Sequence, residues 1–210
     1  MPIIDLNAID KAPLRSDPFD FLVVPGCIGP SALADINGDY PEIERAGNMN
    51  LDDVRYGPAF DSFLEELQGP EVAERIGRKF GVELGECPVT TTVRKFCEQS
   101  DGNIHTDHPS KIITVLVYFN PNWTEGAGQL RMLRSPTDLE DFAAEVPPIG
   151  GTLLAFRRTD HSWHGHERFV GERRMVQMNY LRATRLALWK QQIDRFGTRT
   201  MKKALRALGN

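Results

Sequence analysis

The sequence predicts a mainly β fold with flanking helices, an α+β chain built as a β-sandwich or barrel. Two features carry that expectation. After Gly85 the chain turns to short, β-branched apolar runs separated by Gly, Pro and Asn, the spacing of strands in a sandwich or barrel. Before that point, and again after about residue 182, the apolar pattern is helical. The chain has 210 residues and 40% hydrophobic content, enough for one well-buried core and short for two. A single domain over 1–210 is expected: a lead-in of helices and supporting strands over about 1–88, a β core over about 89–182, and a terminal helix over about 183–210.

The elements follow in order. Pro30-Ser31-Ala32-Leu33 opens a short helix, with proline in its first turn. A longer helical stretch runs from Phe60 to Phe80 and breaks near Gly69-Pro70. Its periodicity buries Leu64, Leu67, Val72, Ile76 and Phe80. Strands are expected at Thr90–Phe96, Ile112–Phe119, Gln129–Leu133, Thr152–Phe156 and Arg173–Leu181. Between the third and fourth, Thr137-Asp138-Leu139-Glu140 has the form of a capping box and predicts a short helix stopped by Pro147-Pro148. In the tail, Trp189, Ile193 and Phe196 form one apolar stripe.

Composition excludes several classes. Lys and Arg number 25 against 29 Asp and Glu, a net charge of −4, so the overall signature of a nucleic-acid binder is lacking. Three cysteines without a CxxC pair, Cys27, Cys87 and Cys97, argue against a disulfide framework or a thiolate zinc site. No signal peptide is visible at Met1-Pro2-Ile3-Ile4-Asp5, and no apolar run approaches the roughly 18 residues of a membrane helix. The expectation is a cytoplasmic protein with no nucleic-acid or membrane partner.

The five histidines lie in two short segments, Ile104-His105-Thr106-Asp107-His108 and His161-Ser162-Trp163-His164-Gly165-His166. Two imidazoles and one carboxylate on one face, with the remaining positions open, is the ligand set of an oxygen-activating non-haem Fe(II) site. On extended chain, residues two apart point the same way, so His105 and Asp107 can reach one metal. A second histidine would arrive from a distant strand. His164, soon after the strand Thr152–Phe156, is preferred, with His161 and His166 as competitors. His108 would face away and reads as an exposed loop residue. Two arginines, Arg173 and Arg174, open the last strand, and a guanidinium fork suits a dicarboxylate cosubstrate. Only one can point inward. Arg173 shares its face with Met175, Gln177 and Asn179, and Arg174 with Val176, Met178 and Tyr180, so periodicity leaves the choice open.

From His105 to Tyr180 the chain resembles the prolyl-hydroxylase-like branch of the 2-oxoglutarate/Fe(II)-dependent oxygenases. The matching pieces are His105-Thr106-Asp107, Thr114 to Asn120 with Trp123, Gly128-Gln129-Leu130-Arg131, Gly151 to Phe156, His164 and Gly171-Glu172-Arg173. Pro18-Phe19-Asp20-Phe21-Leu22-Val23-Val24 resembles the entry strand. The resemblance implies a double-stranded β-helix, or jelly-roll, barrel. It implies Fe(II) on His105, Asp107 and His164, and 2-oxoglutarate as cosubstrate with its far carboxylate on Arg173 and Tyr118. Lys111 and Thr114 have weaker claims to that pocket, and Arg131 reads as a surface residue. Ascorbate is an allowed reductant, and O2 and a hydroxylation substrate are the implied partners. The activity implied is hydroxylation of a C–H bond, with a prolyl residue as one candidate and a small molecule or glycan as others.

The family's aromatic upstream of HxD has no clean counterpart: Arg94, Lys95 and Phe96 all compete for its place. A non-catalytic cupin-like module binding a metal or sugar is the rival reading. From Arg182 onward eight basic residues face one acidic residue, Asp194, which reads as a solvated helix face.

Overall fold

The computed structural model describes residues 2–182. The expected terminal helix, with its stripe of Trp189, Ile193 and Phe196, lies outside the described residues. The lead-in holds helices α1 (Leu6–Lys11), α2 (Pro30–Gly38), α3 (Pro58–Leu67) and α4 (Pro70–Phe80), and short strands β1 (Phe21–Val24) and β2 (Met49–Asn50). The β core follows as β3 (Val89–Cys97), β4 (Lys111–Tyr118), β5 (Leu130–Leu133), β6 (Phe142–Val146), β7 (Leu153–Arg157), β8 (His164–Gly165) and β9 (Gly171–Leu181). Proline stands at the start of α2, α3 and α4, where its missing N–H leaves no helical bond unmade. The α3–α4 break falls at Gly69, the N-cap of α4.

Six strands form one sheet in the order β1-β7-β4-β9-β3-β2, and three form a second, β6-β5-β8. Every pairing between named strands is antiparallel. This is the two-sheet jelly-roll arrangement, helices covering the outer face of the larger sheet.

The faces of β9 explain which arginine turns inward. Val176, Met178 and Tyr180 join the larger core with Phe60, Phe63, Leu67 and Ile76 of the helices. Met175 belongs to the smaller core between the sheets, with Phe21, Leu116, Tyr118, Met132 and Phe156. The more apolar face of the strand therefore packs on helices, and the more polar face looks between the sheets. Arg174 goes to the helix side, its guanidinium over the Tyr40 ring at 5.3 Å. Arg173 goes to the inter-sheet side and is 3% exposed.

One expected element is corrected. Residues after the Thr137–Glu140 box form strand β6, not a helix. The box makes its local hydrogen bonds, but as a turn: Ser135 Oγ accepts from the N–H of Thr137 and of Asp138, and Asp138 Oδ1 from that of Glu140. The chain beyond then pairs with β5, with Arg131 opposite Glu145. Arg131 is corrected with it. It is 8% exposed and held by Glu145, Glu140 and Glu167 at 2.7, 2.6 and 3.1 Å. Among the described residues, no helix is long and apolar enough to cross a membrane.

Candidate active site

The two histidine segments meet through the backbone. His105 N–H donates to the His164 carbonyl and His164 N–H to the His105 carbonyl, both at 3.0 Å. His105 thus sits in an isolated bridge and Asp107 in the loop after it, rather than on the continuous strand expected. Gly165 permits this close approach, because a Cβ there would lie 2.9 Å from the Gly102 carbonyl oxygen and 3.2 Å from that of Asn103.

The bridge brings His105, Asp107 and His164 together, with one ligand atom from each within 4.8 Å of the others. Each histidine is oriented by its own loop. His105 Nδ1 lies 2.9 Å from the Asn103 carbonyl and His164 Nδ1 2.9 Å from that of Ser162. A carbonyl only accepts, so both Nδ1 atoms carry the proton and both Nε2 atoms keep their lone pairs for a metal. Burial, with the nearby His105 adding to it, lowers the His164 pKa to about 4. The ring is therefore neutral at pH 7, as a ligand must be. Burial pushes Asp107 upward, but His164, Lys111 and Thr114 outweigh it and hold the carboxyl below its usual pKa. Lys111 Nζ donates to its Oδ1 at 2.7 Å, and Thr114 Oγ1 donates to Oδ2. Lys111 and Thr114, read from sequence as weak cosubstrate contacts, are partners of the carboxylate instead.

Below the triad a cavity of about 500 Å³ extends between the sheets, lined by Leu116, Leu130, Phe156, Met175, Gln177 and Arg173 among others. Arg173 is fixed by a 2.8 Å bond from Nε to the Gly128 carbonyl, and its guanidinium lies over the Tyr118 ring at 5.3 Å. Tyr118 is fully buried, and its hydroxyl has no hydrogen-bond partner among the described residues. Burial raises its pKa against the pull of the Arg173 charge. An unpaired buried hydroxyl beside a buried guanidinium suits a bound carboxylate.

Of the remaining histidines, the competitor His161 is exposed, and so is His108, as expected of a loop residue. His166 is buried and lines the cavity without joining the triad. Burial, then the Arg173 charge, lowers its pKa to about 4. Of the three residues that compete for the upstream aromatic's place, Arg94 lines the cavity, whereas Lys95 and Phe96 are not among its lining residues. Asn48, Asp101 and His166 were not foreseen as lining residues. His166 shares the face of His164 two residues earlier, a signal the sequence does contain. Asn48 and Asp101 reach the cavity only through the tertiary fold.

No curated protein matches the sequence. The fold is similar to that of a Pseudomonas putida prolyl-4-hydroxylase, with 16% identity over 78% of this chain and 88% of that one and a TM-score of 0.52. A prolyl 4-hydroxylase from Phytophthora capsici has 16% identity over 92% and 72%, with a TM-score of 0.55. SnoN, an α-ketoglutarate-dependent epimerase of nogalamycin biosynthesis, has 14% identity over 78% and 79%, with a TM-score of 0.51. At these identities the likeness is one of fold. The donor set, the oriented imidazoles and the buried arginine fit the Fe(II) and 2-oxoglutarate of the 2OG-Fe(II) oxygenase superfamily, whose family model matches residues 92–182 of this chain.

Proposed function

We propose that the chain is a hydroxylase of an aliphatic C–H bond, using Fe(II), 2-oxoglutarate and O2, with His105, Asp107 and His164 as the metal ligands. The observation that carries the reading is the convergence of three ligand atoms within 4.8 Å, with both histidine Nδ1 atoms already committed to backbone carbonyls. When bound, iron and cosubstrate supply an O2-dependent oxidation that yields succinate, CO2 and a hydroxylated product. This chain's residues orient and exclude. Arg173, which lines the cavity, takes the far carboxylate of 2-oxoglutarate, with the Tyr118 hydroxyl as the second donor from the ring beneath the guanidinium. Leu116, Leu130, Phe156 and Met175 add apolar lining to the cavity, which strengthens the ion pair. Asp107 fills the ligand position that a halide would need, so hydroxylation is favoured over halogenation.

A prolyl residue is the first substrate class to try, because two of the proteins of similar fold are prolyl 4-hydroxylases. Anaerobic Fe(II) and 2-oxoglutarate should give a weak visible charge-transfer band, and O2 with substrate should release succinate. His105→Ala and Asp107→Ala should abolish both. Full succinate release by either variant rules out the ligand assignment, and absence of the band in the unaltered protein favours a non-catalytic module.

A further inference from the structure

The charges around the cavity do not balance once the hydroxylase reading is applied. Its lining carries three cations, Arg94, Lys111 and Arg173, against two carboxylates, Asp101 and Asp107, which leaves one positive charge. Each lining histidine places its Nδ1 2.8 or 2.9 Å from a backbone carbonyl, a contact that a neutral ring makes in full. His105, as a metal ligand, counts as neutral. Fe(II) and the 2-oxoglutarate dianion cancel each other, so the loaded site keeps the same excess.

Arg94 is where that excess can be used. Lys111 is committed to Asp107, Arg173 serves the cosubstrate, and Arg94, although paired with Asp101, keeps one amino group free among the described residues. The Arg94 side chain is 14% exposed. Its Nε donates to Asn48 Oδ1 at 2.9 Å, and its Nη1 to Asp101 Oδ1 at 2.8 Å, with Cys97 Sγ at 3.5 Å. These contacts fix the guanidinium plane. They leave Nη2 without a partner among the described residues, in a side chain that lines the cavity. A guanidinium held in place with one amino group unused is preorganised for an oxyanion. Closing a substrate over an unmet buried donor is costly unless the substrate brings an acceptor for it.

We propose, resting on the hydroxylase reading, that the substrate is a small carboxylic acid and that Arg94 binds its carboxylate. One negative charge balances the site, and one carboxylate matches the unused side of the fork.

The test uses N-acetyl-L-proline, N-acetyl-L-leucine and N-acetyl-L-phenylalanine, each paired with its amide. Binding is read anaerobically as the shift of the Fe(II)–2-oxoglutarate visible band, and turnover as succinate release. In the unaltered protein at least one acid should half-saturate at about tenfold lower concentration than its amide, the worth of one charge-assisted hydrogen bond. Arg94→Gln should remove that preference while the half-saturation by 2-oxoglutarate stays within about twofold. Arg94→Lys, which keeps the charge without the fork, should fall between the two and covers the case in which Arg94→Gln fails to fold. Equal binding of acids and amides, or no band shift by any probe, overturns the proposal and leaves the hydroxylase reading standing. So does an Arg94→Gln protein that loses 2-oxoglutarate affinity instead, which would make Arg94 a cosubstrate ligand. Failure of the band to form at all sinks the hydroxylase reading itself.

Discussion

Replacing Tyr118 by phenylalanine should have opposite effects on stability and on cosubstrate binding. The Tyr118 hydroxyl is buried and unpaired among the described residues. An unmet buried polar group costs about 1–3 kcal/mol, and phenylalanine keeps the ring under Arg173. Tyr118→Phe should therefore stabilise the metal-free protein by about 1 kcal/mol, moving Tm up by about 2–4 °C for a chain of this size. If the hydroxyl bonds the far carboxylate of 2-oxoglutarate, its loss removes a charge-assisted hydrogen bond of about 1.5 kcal/mol, so the half-saturation should rise about tenfold. The assays are urea or thermal unfolding of the metal-free protein and an anaerobic 2-oxoglutarate titration followed by the visible band. Tyr180 supplies the control. Its hydroxyl is also buried and unpaired among the described residues, but its ring lies in the helix-side core. Tyr180→Phe should stabilise similarly and leave cosubstrate binding unchanged. If Tyr118→Phe destabilises the metal-free protein, or leaves 2-oxoglutarate affinity where it was, the role assigned to this hydroxyl is refuted.

Two further outcomes are expected. Lys111→Met breaks an ion pair whose members are 16% and 7% exposed and should cost the metal-free protein about 3 kcal/mol, while divalent metal affinity rises because a cation no longer stands beside the site. A titration with Co(II) or Fe(II) reads the second effect, and weaker metal binding would contradict it. The pH dependence follows from His164 and His166, whose pKa values of about 4 lie below the ordinary 6.5. Between those values the unfolded chain binds more protons than the folded one, so stability is present above pH 6.5 and is lost as pH falls toward 4. At pH 5 the loss should approach about 2 kcal/mol per histidine in the metal-free protein. Urea midpoints that coincide at pH 7.5 and pH 5 would contradict the buried, neutral state of both rings.

Most of the β core was legible because its strands are long, β-branched and bounded by turn residues. Helices α3 and α4 were legible through their period and the Gly69-Pro70 break. Strand β6 was not, because Phe142-Ala143-Ala144-Glu145-Val146 has no strong preference for extended chain. Its conformation comes from pairing with β5 and from the Arg131–Glu145 contact across the ladder, and neither is a local property. Arg131 was misread for the same reason: alternation sends it outward correctly, but three carboxylates from elsewhere then cover it. The triad was legible from HxD and a clustered later histidine. The choice of Arg173 over Arg174 was not readable from periodicity, because a sheet buried on both faces hides which face meets the helices. That choice required knowing that the helix layer takes the more apolar side.

The histidine bridge explains how such a site can exist before metal arrives. Bringing two imidazoles and a carboxylate together normally sets ordering entropy and desolvation against the fold. Here the two histidines are joined by a reciprocal pair of backbone hydrogen bonds, so their separation is set by sheet geometry, and each ring is turned by a carbonyl two residues earlier in its own segment. Asp107 is the ligand without such a backbone clamp, and Lys111 and Thr114 hold its two oxygens instead. Metal binding must therefore reorganise the carboxylate far more than the imidazoles. The carboxylate's partners are then the residues through which this chain tunes metal affinity. Substitutions at Lys111 and Thr114 should change affinity while leaving the His105–His164 bridge intact, whereas a side chain at Gly165 would force the bridge apart and remove the site altogether.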